Sequence, residues 1–182
     1  ALSLEGQRLW AADATERAFQ AQVRAFTDEW KQPSPTMKVK TSGSTGRPKT
    51  LEVKKCDMAA SAHRTLEALQ LAPHHTALLC LPLDYVAGKM MTVRALVGNL
   101  PLIAVVPSSH PLRHQQVAPS FIAVTPMQAL TTLQTPGERE CFCRIPRILI
   151  GGGAVSQQLL AAVQACEGEV YSTYGMTETL SH

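Results

Sequence analysis

Four short apolar runs, at residues 77–81, 102–106, 121–124 and 148–150, set the terms on which this chain can fold. Each is continuous rather than alternating, which is the pattern of a strand buried on both faces. Residues 88–97 read as a helix between the first two. A helix opened by Thr125 as cap and Pro126 in its first turn follows the third, and residues 156–165 follow the fourth, ahead of a last strand at 169–172. This order predicts an α/β fold: mixed, largely parallel sheets layered with helices.

The chain ahead of these runs is organised differently. Phe19, Val23, Phe26 and Trp30 recur every three or four residues behind Asp13, which with Glu16 suits a capping box. Gln32-Pro33-Ser34-Pro35 ends that helix, because proline lacks the N–H that a helix needs. Strands are expected at 37–40 and 51–53, joined by a Gly/Ser/Thr loop, and a helix at 59–69. Residues 135–143 read as a long surface connection.

A length of 182 residues with 45% hydrophobic and 17% charged side chains suits one folded domain and excludes a disordered chain. The net charge of +3 is too small and too scattered for a nucleic-acid surface, which leaves small anions as partners. No apolar run approaches the ~20 residues of a membrane span, and no signal-peptide layout opens the chain, so a cytoplasmic location is expected. The five cysteines are odd in number and lack metal-ligand spacing, which predicts reduced thiols. The six histidines are expected to be solvated loop residues.

The loop itself reads Thr41-Ser42-Gly43-Ser44-Thr45-Gly46-Arg47-Pro48-Lys49. Glycine lets backbone N–H groups approach an anion, the hydroxyls donate further hydrogen bonds, and Lys49 can neutralise phosphate charge. It is not a Walker A loop, because Gly46 leads to Arg47 and Pro48 and then to extended chain rather than to a helix.

With this loop, and with Tyr174-Gly175-Met176-Thr177-Glu178-Thr179 further on, the sequence resembles the adenylate-forming superfamily of acyl-CoA synthetases, luciferases and peptide-synthetase adenylation domains. The resemblance implies an ATP-dependent acid–thiol ligase that uses ATP, Mg²⁺ and CoA. Thr41, Ser42, Gly43, Ser44, Thr45, Gly46 and Lys49 would then grip phosphates, and Thr177 would contact the α-phosphate. Glu178 would hold Mg²⁺, and Tyr174 would stack on adenine beside Ser172, Thr173 and Gly175. It further implies that Gly151-Gly152-Gly153-Ala154, directly behind an apolar strand, lines the adenine and acyl pockets. Lys49, Thr177 and Glu178 would be the catalytic set.

Leu81-Pro82-Leu83-Asp84-Tyr85-Val86-Ala87-Gly88 resembles the family's Leu-Pro-Leu-Phe-His-x-x-Gly region of the acyl pocket, with Asp84 and Tyr85 in place of the aromatic residue and the histidine. Tyr85, Val86 and Gly88 are the acyl-site candidates there. Arg94 follows inside an apolar helix, at an offset like that of the o-succinylbenzoate:CoA ligases of menaquinone synthesis. It either holds the second carboxylate of a dicarboxylate substrate or lies on the wet face of its helix.

The family's ribose-binding aspartate and distal catalytic lysine have no match in this sequence. Residues 1–182 are therefore expected to be part of an N-terminal ATP- and acyl-binding domain that by itself binds ATP weakly and turns over little or nothing. The other readings are an aryl or fatty acyl ligase of the same superfamily and a non-catalytic nucleotide-binding module. A symmetric homodimer is the default for its association.

Overall fold

The computed structural model describes residues 13–40 and 50–173. The chain opens with α1 (Ala14–Lys31), whose N-cap Asp13 accepts the Glu16 N–H at 2.8 Å. Phe19, Val23 and Phe26 form its buried stripe. Strands β1 (Thr36–Lys40) and β2 (Thr50–Lys54) pair antiparallel, with Lys40 opposite Thr50. The Gly/Ser/Thr loop therefore connects two paired strands, as expected, although residues 41–49 themselves lie outside the described residues.

Helix α2 (Lys55–Ala68) begins four residues before the position that its sequence pattern marks. The cause is Lys55, whose Nζ donates to the carbonyls of Glu29, Trp30 and Gln32 at 2.9, 2.9 and 2.7 Å. These groups lie at the C-terminal end of α1, where a helix leaves carbonyls unpaired and favours a cation. One side chain thus closes one helix while its backbone opens the next.

Five parallel strands follow: β3 (Ala77–Leu79), β4 (Leu102–Ala104), β5 (Phe121–Val124), β6 (Arg147–Ile150) and β7 (Glu169–Ser172), in spatial order β4-β3-β5-β6-β7. Alternate residues of one strand serve two separate cores. Ala77, Leu79, Phe121 and Leu149 pack with α1, α2 and α3 (Val86–Val97). Leu78, Ile122, Val124, Ile148 and Ile150 pack with α4 (Pro126–Gln134), α5 (Pro136–Cys143) and α6 (Gln157–Val163). Burial on both faces is why these strands read as unbroken apolar runs.

Two expectations fail. Residues 135–143 are not a surface connection but largely helix α5, opened by Pro136 and anchored by the fully buried Phe142. His110 is not merely solvated, because its Nδ1 lies 2.7 Å from Oε1 of Glu138 on that helix. Oε2 of the same carboxylate accepts the Leu112 N–H at 3.2 Å, so the buried Glu138 clasps the β4–β5 connection.

Candidate active site

The strand order reverses at β3: the chain steps to β4 on one side and returns to β5 on the other. Helix α3, which follows β3, lies on the first face, and α4, which follows β5, lies on the second. The connections therefore diverge beyond the C-terminal ends of β3 and β5, where open parallel sheets gather ligands.

The turn out of β3 is fixed at both ends. Gly88 lies so close beneath Pro82 that a Cβ there would stand 2.3 Å from the Pro82 carbonyl oxygen. Only glycine lets the first turn of α3 tuck under the Leu81-Pro82-Leu83 segment. Tyr85 at the N-cap pairs with Lys40 through an isolated parallel bridge, and Asp84 accepts from Lys40 Nζ at 3.0 Å. Lys89 Nζ donates to the Lys38 carbonyl at 2.6 Å. The end of β1, one residue before Thr41, is thereby held against the start of α3. Asp84 occupies the family's aromatic position as a tether between these elements, and Tyr85 is exposed beside it.

Gln128 closes the other side, and sequence reasoning missed it. It completes a capping box with Thr125 and donates from Nε2 to the carbonyls of Cys80, at 3.1 Å, and Ser108, at 2.8 Å. The Thr-x-x-Gln spacing signals the cap, but nothing local signals the clamp across β3 and the β4–β5 connection.

The glycine segment continues this edge. The Gly151 N–H donates to the Val124 carbonyl at 3.1 Å, and the Thr173 N–H donates to Ile150 at 2.8 Å. A Cβ on Gly151 would meet Thr173 Oγ1 at 2.6 Å, and Gly152 has φ +80°, so side chains are excluded from both positions for different reasons. Gly152, Gly153, Ala154 and Ser172 are exposed, leaving a strip of bare backbone beside Thr173. Tyr85, Val86, Gly88, Gly151, Gly152, Gly153, Ala154, Ser172 and Thr173 thus stand along one edge of the sheet. Thr41, Ser42, Gly43, Ser44, Thr45, Gly46, Lys49, Tyr174, Gly175, Thr177 and Glu178 lie outside the described residues.

Arg94 lies two turns along α3 from Val86 and is only 3% exposed, which overturns the wet-face alternative. Its Nε has no hydrogen-bond partner, and no carboxylate among the described residues pairs with it. Burial alone draws its guanidinium down to about 10. Periodicity could not place it, because α3 is apolar nearly all round.

The AMP-binding enzyme family model matches residues 6–182, nearly the whole chain and this entire edge. The chain belongs to the AMP-binding enzyme family. Among curated members, the 2-succinylbenzoate--CoA ligase of Bacillus cytotoxicus is 28% identical over 144 residues, which are 78% of this chain and 30% of that protein. The probable 2-succinylbenzoate--CoA ligase of Mycobacterium tuberculosis is 27% identical over 149 residues, 78% of this chain and 38% of that one. An acyl-CoA synthetase (AMP-forming)/AMP-acid ligase II-like protein from Dyadobacter fermentans superposes with a TM-score of 0.85 at 36% identity, over 90% of this chain and 47% of its own.

The O-succinylbenzoate coenzyme A synthetase MenE of Bacillus subtilis, in complex with ATP and magnesium ion, has the same fold. Its TM-score is 0.64 at 24% identity, over 80% of this chain and 31% of that one. The chain thus spans between about a third and a half of these relatives' lengths.

Proposed function

We propose that this chain is the ATP- and acyl-binding part of an acyl-CoA ligase that activates a dicarboxylate, o-succinylbenzoate being the substrate that fits best. The carrying observation is the burial of Arg94 with its Nε lacking a hydrogen-bond partner and no carboxylate paired with it among the described residues. Leaving such a charge unpaired costs several kcal/mol, so its site calls for an anionic ligand. Arg94 lies eight residues beyond Val86, ~12 Å along the helix, and helical side chains lean back toward the N-terminus. One carboxylate could then sit at the crevice mouth while the guanidinium fork holds the other. Relatives named as 2-succinylbenzoate--CoA ligases support that substrate.

The first step would join the reacting carboxylate to the α-phosphorus of ATP and release pyrophosphate. Catalysis then rests on positioning and charge neutralisation. The bare backbone of Gly151 to Gly153 fits a flat adenine ring, and Lys49 with its loop would hold the leaving phosphates while Thr177 contacts the α-phosphate. Among the described residues no group of three acidic, histidine or cysteine side chains could hold a metal. As the family resemblance implies, Glu178 together with ATP's own phosphates would hold Mg²⁺, a hard cation that suits oxygen donors. That ion would supply charge neutralisation when bound. CoA thiolate would displace AMP in a second step that needs the remainder of the protein.

The test is ATP:pyrophosphate exchange by the full protein with o-succinylbenzoate, benzoate and fatty acids. Arg94→Ala should raise KM for the dicarboxylate about 10–100-fold, the loss of a charge-assisted hydrogen-bonded pair, and Arg94→Lys should recover only part of it. Unchanged KM in a folded variant would show that Arg94 does not read the substrate.

A further inference from the structure

On the second face of the sheet, away from the edge just described, two cysteines meet. Cys143 ends α5 and Cys166 follows α6. They are 23 residues apart in sequence, yet their Sγ atoms lie 2.7 Å from each other. A covalent disulfide measures ~2.05 Å, so the approach still needed is about 0.65 Å. The backbones are in register for it: the Glu167 N–H donates to the Cys143 carbonyl at 2.9 Å. Gly168 presses so closely on Ile145 that a Cβ would stand 1.8 Å from its carbonyl oxygen. Both cysteines are therefore carried on chain that is already docked, and bond formation requires little more than side-chain rotation.

We infer that Cys143 and Cys166 form a reversible disulfide, a redox modification site that staples the start of β6 to the start of β7. The closed loop would contain β6, the glycine segment and α6. Tethering the two strands at their N-terminal ends would stabilise the unit that carries the glycine segment at its other end, mainly by restricting the unfolded chain.

The oxidant is a low-molecular-weight disulfide such as oxidised glutathione. The Cys143 thiolate attacks one of its sulfurs, and the other half leaves as a thiolate that takes up a proton. The Cys166 sulfur then displaces the second half, losing its own proton. Two thiol hydrogens leave the protein, and the oxidant's S–S bond becomes two thiols. Burial, and the Cys143 thiol beside it, push Cys166 up to about 12. The closing step therefore depends on a scarce thiolate and should quicken as pH rises.

The experiment incubates the full folded protein with oxidised or reduced glutathione, then alkylates free thiols under denaturing conditions and maps the peptides by mass. The expected product is a cross-linked peptide pair carrying Cys143 and Cys166, lighter by two hydrogens, reversed by dithiothreitol and formed faster at pH 9 than at pH 7. Thermal unfolding of the oxidised protein should rise by about 5 °C. The Cys141→Ser variant should behave as the wild type, whereas Cys143→Ser and Cys166→Ser should each abolish both the cross-link and the shift. Cross-links from Cys141, a wild type whose Cys143 and Cys166 stay free, or an oxidised form with unchanged melting would each overturn the assignment. Mapping on the wild type needs no variant to fold.

Discussion

Among the described residues, the two faces of the sheet each bury one charged side chain, and they treat it in opposite ways. On the second face Glu138 is 4% exposed and fully engaged, with one carboxylate oxygen on His110 and the other on the Leu112 N–H. On the first face Arg94 is 3% exposed, and its Nε meets no acceptor. A buried ionic group that is fully partnered holds chain segments together. One left short of partners is a cost that folding does not explain, and a ligand is the natural source of what it lacks.

That contrast breaks most easily at Glu138. Replacing it by alanine removes the carboxylate from both His110 and the Leu112 N–H. Stability should fall by about 3 kcal/mol, the lower end for breaking a buried pair because His110 can turn to water. Urea unfolding of the full protein measures this. The KM for ATP and the acid should stay unchanged, and an altered KM with little loss of stability would put Glu138 in the wrong category.

Arg94→Met should have the opposite sign. Removing a buried charge that no carboxylate among the described residues pairs with, and filling its volume with an apolar side chain, should leave the unliganded protein as stable as before or more so, by about 1–2 kcal/mol. The same urea titration without substrate tests it. A fall as large as that at Glu138 would mean that the guanidinium is structurally engaged.

How far the sequence revealed this contrast depends on the range of the interactions. The strands β3, β5 and β6 announce themselves because a doubly buried strand needs only apolar residues in a row. The Asp13 and Thr125 caps are legible because their partners are three residues away. Helix α5 was hidden, since a polar run with Gly137 looks like a loop until Glu138 finds His110, 28 residues distant. Gln128 and the Cys143–Cys166 contact were hidden for the same reason: their partners are set by the sheet order, not by spacing. Arg94 was visible as an anomaly, but only packing could decide between water and burial.

The smallest effect tests whether the rule extends to a weakly satisfied group. His75 Nδ1 accepts the Ala72 N–H at 3.0 Å, a bond that only an unprotonated nitrogen can accept. Burial first, then the neighbouring His74 and Arg147, lower the pKa of His75 below its ordinary value. Between that lowered value and 6.5 the unfolded chain binds more protons than the folded one, so stability rises with pH across this window and is lost as pH falls through it. Because the ring is only partly buried, the effect is a slight one. The urea midpoint of the wild type should drop a little more between pH 7 and pH 5 than that of His75→Ala, which has no ring to protonate. Parallel profiles would mean that the Ala72 bond contributes nothing, and that partnering matters to this fold only where burial makes its absence expensive.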